Sequence, residues 1–376
     1  MFLADSDLAL SGGSGALALP DVASRALRGS VVAASDEFFA EKENLINPSP
    51  PSFTPRTFGH KGQVYDGWET RRRRGASGAV PGDDSSDWAI VRLGAPAVVR
   101  AVVVDTAFFT GNYPAGCSVE GCRVSGYPQS FPSAPDDVPW VPLVARSPLK
   151  GDAQHVFEVS SGQRFTHVRL RIYPDGGVAR LRVHGTVVPD PALLSGLTFD
   201  AGALENGGDV VACSDRFYSS PRNVLSPGLS RVMGEGWETR RRRGPGNEWL
   251  VVRLTGTSVV SLAEIDTSGY IGNPPGAASL LGFDAASGPA ESWGSSEPAE
   301  SWGSSLADPA AWFPLLPRTG LLPDTPHRFR LALSRPVTHV RLDVFPDGGI
   351  ARLRLHGTLT ESGLADVRRR WEETGG

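Results

Sequence analysis

Apolar and polar positions alternate along much of this chain with the two-residue period of a strand that buries one face. Val168, Leu170 and Ile172 alternate with His167, Arg169 and Arg171, and after Pro174-Asp175-Gly176-Gly177 the alternation resumes as Ala179, Leu181 and Val183 against Arg180, Arg182 and His184. The intervening residues supply a preset φ, a short acceptor side chain and two glycines that accept positive φ, so the pattern predicts a β-hairpin. A second hairpin is predicted around Pro346-Asp347-Gly348-Gly349, and the run Val98–Val104 reads as a strand buried on both faces. Segments of helical period are few: a short one after Asp21, one from Asp190, and one near 364–373. Short strands punctuated by 44 glycines and 31 prolines predict an all-β fold, with two packed antiparallel sheets per domain as a jelly-roll sandwich.

The two hairpins belong to a larger duplication. Thr166–Gly185 and Thr338–Gly357 agree without a gap at 15 of 20 positions, the main departure being Arg171 against Asp343. Gly67-Trp68-Glu69-Thr70-Arg71-Arg72-Arg73-Arg74-Gly75 recurs unchanged at 236–244. Trp88–Leu93 matches Trp249–Leu254, while Asp105, Thr106, Gly111 and Asn112 match Asp266, Thr267, Gly272 and Asn273. A whole domain has been copied with its order kept. The 376 residues therefore divide into a loose tail (1–17), a first domain (18–188), a linker (189–197), a second domain (198–359) and a C-terminal helix and tail (360–376). A Ser/Gly/Trp-rich insertion at 288–305 reads as a loop of the second domain alone.

Charge and cysteine content narrow the function classes. With 37 Lys plus Arg against 41 Asp plus Glu, the chain lacks the basic excess of a nucleic-acid or anionic-membrane binder. Three cysteines without paired spacing build neither a disulfide framework nor a zinc site and fit a reducing compartment. The N-terminal stretch carries Asp5 and Asp7 and has neither a basic start nor an unbroken apolar run, so a cytoplasmic protein is expected. No His-Glu-x-x-His, Cys-x-x-Cys, Gly-x-Ser-x-Gly or phosphate-cradling loop occurs. No cofactor is evident, and metal dependence is left open.

Candidate chemistry concentrates on the repeated motif. If Glu69–Arg74 is extended, Glu69, Arg71 and Arg73 share one face and Thr70, Arg72 and Arg74 the other. Four adjacent guanidinium groups repel one another, so keeping them twice calls for a compensating anion. That anion is either a bound carboxylate, gripped bidentately, or an internal partner such as Asp36, Asp215, Asp105 or Asp266 that holds the sheets in register. Asp36 and Asp215, each ahead of an aromatic pair, read equally as site carboxylates or loop caps. Asp175 and Asp347 read as turn formers. His184 and His356, facing away from the apolar set, read as structural residues or as bases.

The strings Ala34-Ser35-Asp36-Glu37-Phe38-Phe39-Ala40, Asp66–Arg74, Phe109-Thr110-Gly111-Asn112-Tyr113-Pro114 and Tyr173–Arg182 resemble those of the allantoicase family, in order and across nearly the whole chain. The resemblance implies two jelly-roll domains similar to galactose-binding sandwiches. It also implies hydrolysis of allantoate to ureidoglycolate and urea in allantoin breakdown, with allantoate as small-molecule partner, and it admits a homo-oligomer. On that basis Glu69 and Glu238, with Asp36 and Asp215, are the expected acid/base groups. Arg71, Arg73, Arg240, Arg242, Trp68, Trp237, Asn112 and Asn273 are the expected substrate contacts. One departure from the family pattern is Glu235, which stands where an Asp often precedes Gly-Trp-Glu; the insertion at 288–305 is another. A non-catalytic carbohydrate- or anion-binding module is the alternative on fold grounds.

Overall fold

The computed structural model describes residues 15–75, 78, 79, 82–126, 138–285, 311–332 and 335–375. The insertion at 288–305 and most of the tail 1–17 lie outside them. The described chain separates into two compact units, residues 16–187 with 374 and 375, and residues 188–373 with residue 15. Each is an antiparallel β-sandwich.

In the first unit the strands are β1 (Ser30–Ala34), β2 (Phe58–Gly59), β3 (Gly62–Gln63), β4 (Trp68–Glu69), β5 (Asp87–Asp105), β6 (Gly116–Cys122), β7 (Val141–Pro148), β8 (Gln154–Glu158), β9 (Arg164–Tyr173), β10 (Gly177–Val178) and β11 (Arg180–Val187). The long β5 serves both layers. Its first half pairs with β1 and β9, in the order β1-β5-β9-β6-β7, and its second half pairs with β8 and β11. The ladder to β9 breaks between Arg92 and Ala97, around Pro96, which has no N–H to donate. Between the layers lies a core of Ile90, Val102, Val104, Val119, Phe165, Leu170, Leu181 and Val183, all at most 1% exposed.

The second unit repeats this plan with β12 (Phe199–Asp200), β13 (Asp209–Cys213), β14 (Trp237–Glu238), β15 (Glu248–Asp266), β16 (Ala277–Phe283), β17 (Phe313–Gly320), β18 (Pro326–Arg330), β19 (Val337–Phe345), β20 (Gly349–Ile350) and β21 (Arg352–Leu359). Helix α1 (Glu361–Glu373) follows and packs on β15. The turns after Asp21 and Asp190 are single 3-10 turns, Arg25–Leu27 and Pro191–Leu193.

The predicted hairpins do not form. β9 and β11 are strands, as the alternation requires, yet each pairs with a different half of β5 and not with the other. The turn between them cannot close on itself because its polar groups are committed elsewhere. Gly176 exchanges hydrogen bonds with Thr70 (Thr70 N–H to its carbonyl, 3.1 Å; its N–H to Thr70 Oγ1, 3.2 Å), and the Gly177 N–H donates to the Asn112 carbonyl at 2.7 Å. Nor does β9 bury one face only. Arg169, on the expected solvent face, is 3% exposed, bonded to Glu120 at 2.7 Å and stacked 4.4 Å over the Trp140 ring. The Val98–Val104 stretch is buried on both faces except at Arg100.

Two contacts pin the motif to the turn. A Cβ on Gly177 would stand 2.0 Å from the Phe109 ring, and one on Gly67 would stand 2.7 Å from both that ring and the Val178 carbonyl. The leading glycine of the motif is thus required by close approach. Arg180, 1% exposed, lies beneath the same loop, bonded to the Asp66 carboxylate at 2.8 Å and to the carbonyls of Ser49, Asp66 and Ala179. Burial opposes ionisation of Asp66, but Arg180 and Ser52 outweigh it and hold its carboxyl below the ordinary 3.8. Its contribution to stability is therefore complete above that pH and is lost as pH falls through the lower folded value. In the second unit the hydrogen bonds of Arg352 among the described residues go to carbonyls (Gly228, Glu235, Ala351), while the Glu235 carboxylate bonds the exposed Arg231 and meets Arg352 only through space.

Two outcomes are expected in urea denaturation. Gly177→Ala destabilises the first unit by ~1–3 kcal/mol through overpacking, whereas Gly111→Ala, with open space at its Cβ, changes the midpoint little. Asp66→Ala costs about 1–3 kcal/mol because Arg180 loses a charge-assisted hydrogen bond but keeps its carbonyl partners, and Glu235→Ala costs about 0–1 kcal/mol because it breaks a surface pair.

Candidate active site

The repeated motif forms only a two-residue strand before leaving as a loop, so the extended run predicted for 69–74 stops at Glu69. β4 lies between two partners. On one side Glu69 pairs with Gly177 of β10, and on the other it bridges Ala40, exchanging hydrogen bonds of 3.2 and 3.3 Å. The Phe39 N–H also reaches the Glu69 carbonyl at 3.2 Å. The Glu69 carboxylate accepts a hydrogen bond from Asn112 Nδ2 at 2.8 Å. Burial raises its pKa above the ordinary 4.5, against the opposing pull of the Asn112 donor. Asn112 is itself fixed, since its carbonyl takes the Gly177 N–H. The second unit carries the same pair, with Asn273 Nδ2 donating to Glu238 at 2.7 Å and the Asn273 carbonyl receiving the Gly349 N–H at 2.9 Å. There the Glu238 N–H donates to Ser219 Oγ at 3.0 Å.

The arginines divide by position in the run. Arg71 bonds Asp36 with its main-chain N–H (2.6 Å), Nε (3.0 Å) and Nη2 (2.9 Å). Burial resists ionisation of Asp36, but these donors prevail and lower its pKa from 3.8. Arg73 donates its N–H to Asp175 at 2.7 Å and its guanidinium to Asp87 at 3.0 and 2.8 Å. The copies agree: Arg240 uses Asp215 (N–H 3.0 Å, Nε 3.4 Å), and Arg242 uses Asp347 (N–H 2.8 Å) and Glu248 (3.0 Å). Arg71, Arg73, Arg240 and Arg242 thus each have an internal acidic partner, the kind of contact the register-holding alternative calls for, while the side chains of Arg71 and Arg240 stay 67% and 66% exposed. Asp36 and Asp215 do not stand free as acid/base groups, because their carboxylates are committed to the loop. Arg72, Arg74, Arg241 and Arg243 are exposed and have no ion-pair partner among the described residues.

Trp68 and Trp237, expected to touch substrate, are 0% exposed. Their indole N–H groups donate to the Asp36 and Asp215 carbonyls at 2.7 and 3.0 Å, so they position the aspartates from within the core. Asp105 and Asp266 cap the turns after β5 and β15, each accepting the N–H two residues on at 2.8 Å, and neither meets the motif. His184 Nδ1 lies 2.9 Å from the Leu19 carbonyl, a structural contact. Asp175 and Asp347 are turn residues that also reach the motif. Sequence reasoning missed Asp87 and Glu248, although an acidic residue stands immediately before Trp88 and Trp249 in both copies. Among the described residues no group of three or more His, Cys, Asp or Glu side chains gathers as a metal site.

Comparison with known proteins gives the family. The allantoicase-repeat family model matches residues 20–188 and again 199–360. A probable allantoicase of Streptomyces coelicolor is 51% identical over 359 residues, covering 95% of this chain and 90% of that protein. Allantoicase of Dictyostelium discoideum is 39% identical over 338 residues, covering 89% and 85%. The crystal structure of allantoicase from Saccharomyces cerevisiae superposes with a TM-score of 0.72 at 30% identity, covering 95% of this chain and 99% of that one. With both repeats matched and the fold shared end to end, the chain belongs to the allantoicase family.

Proposed function

We infer that this chain hydrolyses allantoate to ureidoglycolate and urea, the allantoicase step of purine degradation. The observation that carries this reading is the match of both repeats to allantoicase, each repeat keeping a glutamate held by an asparagine amide. Allantoate bears a carboxylate and two planar ureido groups on one sp³ carbon. Its hydrolysis breaks one bond from that carbon to a ureido nitrogen and forms a carbon–oxygen bond from water.

Glu69 is placed for the proton work. In the first half-reaction its carboxyl gives a proton to the departing nitrogen, which leaves as urea with the bonding electron pair. The lone pair of the remaining ureido nitrogen stabilises the carbon as an acyl-iminium ion. In the second half-reaction the Glu69 carboxylate takes a proton from the water that adds to that carbon, and the group is restored. A carboxyl raised by burial is protonated over a wider pH range than an exposed one, which suits a donor. Glu238 takes the same part in the second unit. The substrate carboxylate falls to Arg72 and Arg241, whose exposed forks have no ion-pair partner among the described residues and can meet it bidentately. Three cysteines without paired spacing fit a reducing, cytoplasmic setting. No helix among the described residues is long and apolar enough to cross a membrane.

Urea release from allantoate by the purified protein is the direct test, and its absence beside glycan binding would favour a binding module. The double variant Glu69→Gln with Glu238→Gln is expected to lose ~10²–10⁴-fold in kcat, and the single variants apportion turnover between the units. Full turnover in the double variant would remove both residues from the mechanism. The kcat–pH profile carries a limb above 4.5 that Glu69→Gln abolishes in the first unit. Arg72→Lys with Arg241→Lys raises KM about 10-fold or more, since a charge-assisted fork is lost, while kcat and melting temperature hold.

A further inference from the structure

Each unit exposes an aromatic pair beside its catalytic glutamate. Phe38 and Phe39 are 43% and 42% exposed, with centroids 5.1 Å apart and planes at 88°. Phe217 and Tyr218 are 51% and 60% exposed, at 4.8 Å and 83°. Residues on either side have changed between the copies, Glu37 to Arg216 and Ala40 to Ser219, yet the aromatic pair persists. Two adjacent rings left this open beside the motif in both copies offer an apolar surface that a ligand or partner can cover.

The two rings of each pair differ in what covers them. Arg71, already fixed on Asp36, lies 5.5 Å over Phe38, and Lys61 lies 5.3 Å from the same ring. Arg240, fixed on Asp215, lies 4.6 Å over Phe217. The first ring is therefore clamped by cations and props the second edge-to-face. No cation covers Phe39 or Tyr218 among the described residues. The Phe39 N–H donates to the Glu69 carbonyl at 3.2 Å and Ser219, next to Tyr218, accepts the Glu238 N–H at 3.0 Å, so in each unit the loop that carries the aromatic pair is joined to the strand that carries the glutamate.

Resting on the allantoate reading, we propose that Phe39 and Tyr218 are the specificity walls of the two sites, against which a planar ureido group of the substrate stacks. Phe38 and Phe217, with Arg71 and Arg240, are their positioning residues. A flat conjugated ureido group gains dispersion and quadrupole contact on a ring face, so the stack adds to substrate binding without taking part in the bond change. The arrangement selects for ureido substituents over flexible alkyl groups of like size.

The test is steady-state urea release by Phe39→Ala combined with Tyr218→Ala in the full chain. KM for allantoate rises roughly 3–10-fold, the factor an aromatic stack contributes, while kcat stays near the wild-type value and the melting temperature is unchanged. Exchanging the rings, Phe39→Tyr with Tyr218→Phe, preserves KM; Phe39→Leu with Tyr218→Leu does not, because an apolar but non-planar group cannot stack. An unchanged KM in the alanine variant, full recovery with leucine, or a KM change that tracks dissociation of copies in sedimentation velocity would each overturn the proposal. Wild-type protein that releases no urea would instead strike the allantoate reading on which it rests.

Discussion

Mutual repulsion among four consecutive guanidinium groups is the constraint around which each unit is built. At 4 Å two like charges cost about 1 kcal/mol in bulk water and about 4 kcal/mol near a protein surface, so the run cannot be held in one shape without anions placed between its members. The fold supplies them from separate segments. Asp36 comes from the loop after β1, Asp87 from the start of β5 and Asp175 from the turn before β10, and each bonds a different part of the run. Because these carboxylates lie far apart in sequence, the loop acquires its shape only once the sandwich has closed. Alternate arginines are then consumed as structure, and the intervening ones remain outside with charge to spare.

That arrangement explains which features were legible in the sequence. Alternation at 168–172 and 179–183 identifies strands because side-chain direction follows from local backbone geometry. It does not identify partners. β9 and β11 look like a hairpin because they are adjacent in sequence, and they separate because one 19-residue strand, β5, offers each of them a half of its length. The position of Glu69 beside the Arg run was legible from the exact duplication. The burial of Trp68 was not, since a tryptophan reads alike as a ligand platform or as a core residue until its indole N–H is seen to meet the Asp36 carbonyl. The split among the arginines was half legible: like charges demand anions, but their source depends on contacts that span 14 to 102 residues along the chain.

The duplication separates what geometry demands from what chemistry tolerates. Gly67 and Gly236 are kept because a Cβ at either would strike the Val178 or Ile350 carbonyl. Asp87 becomes Glu248 and the pairing to arginine survives, because a longer acid still reaches its partner in a partly open loop. Asp66 becomes Glu235 and the pairing does not survive. The buried guanidinium of Arg352 hydrogen-bonds carbonyls instead, which gives up the direct ion pair but leaves its donors occupied. Satisfying hydrogen bonds is thus the harder requirement in this core, and matching charge the softer one.

The same logic bears on the Glu–Asn pair. An amide donor stabilises the ionised carboxylate, and burial destabilises it; at Glu69 burial prevails, so the two forms lie closer in free energy near neutral pH than on an exposed glutamate. The proton donor and acceptor proposed for Glu69 is served by a pKa above the ordinary one, since a strong bias to the carboxylate would slow the step that gives a proton to the departing nitrogen. Arginine would upset it. A guanidinium bonded to Glu69 would lower its pKa and trap it as a carboxylate, and the diversion of Arg71 and Arg73 onto Asp36 and Asp87 keeps their strongest contacts elsewhere. In this sense the ion pairs of Arg71 with Asp36 and of Arg73 with Asp87 also protect the acid proposed beside them.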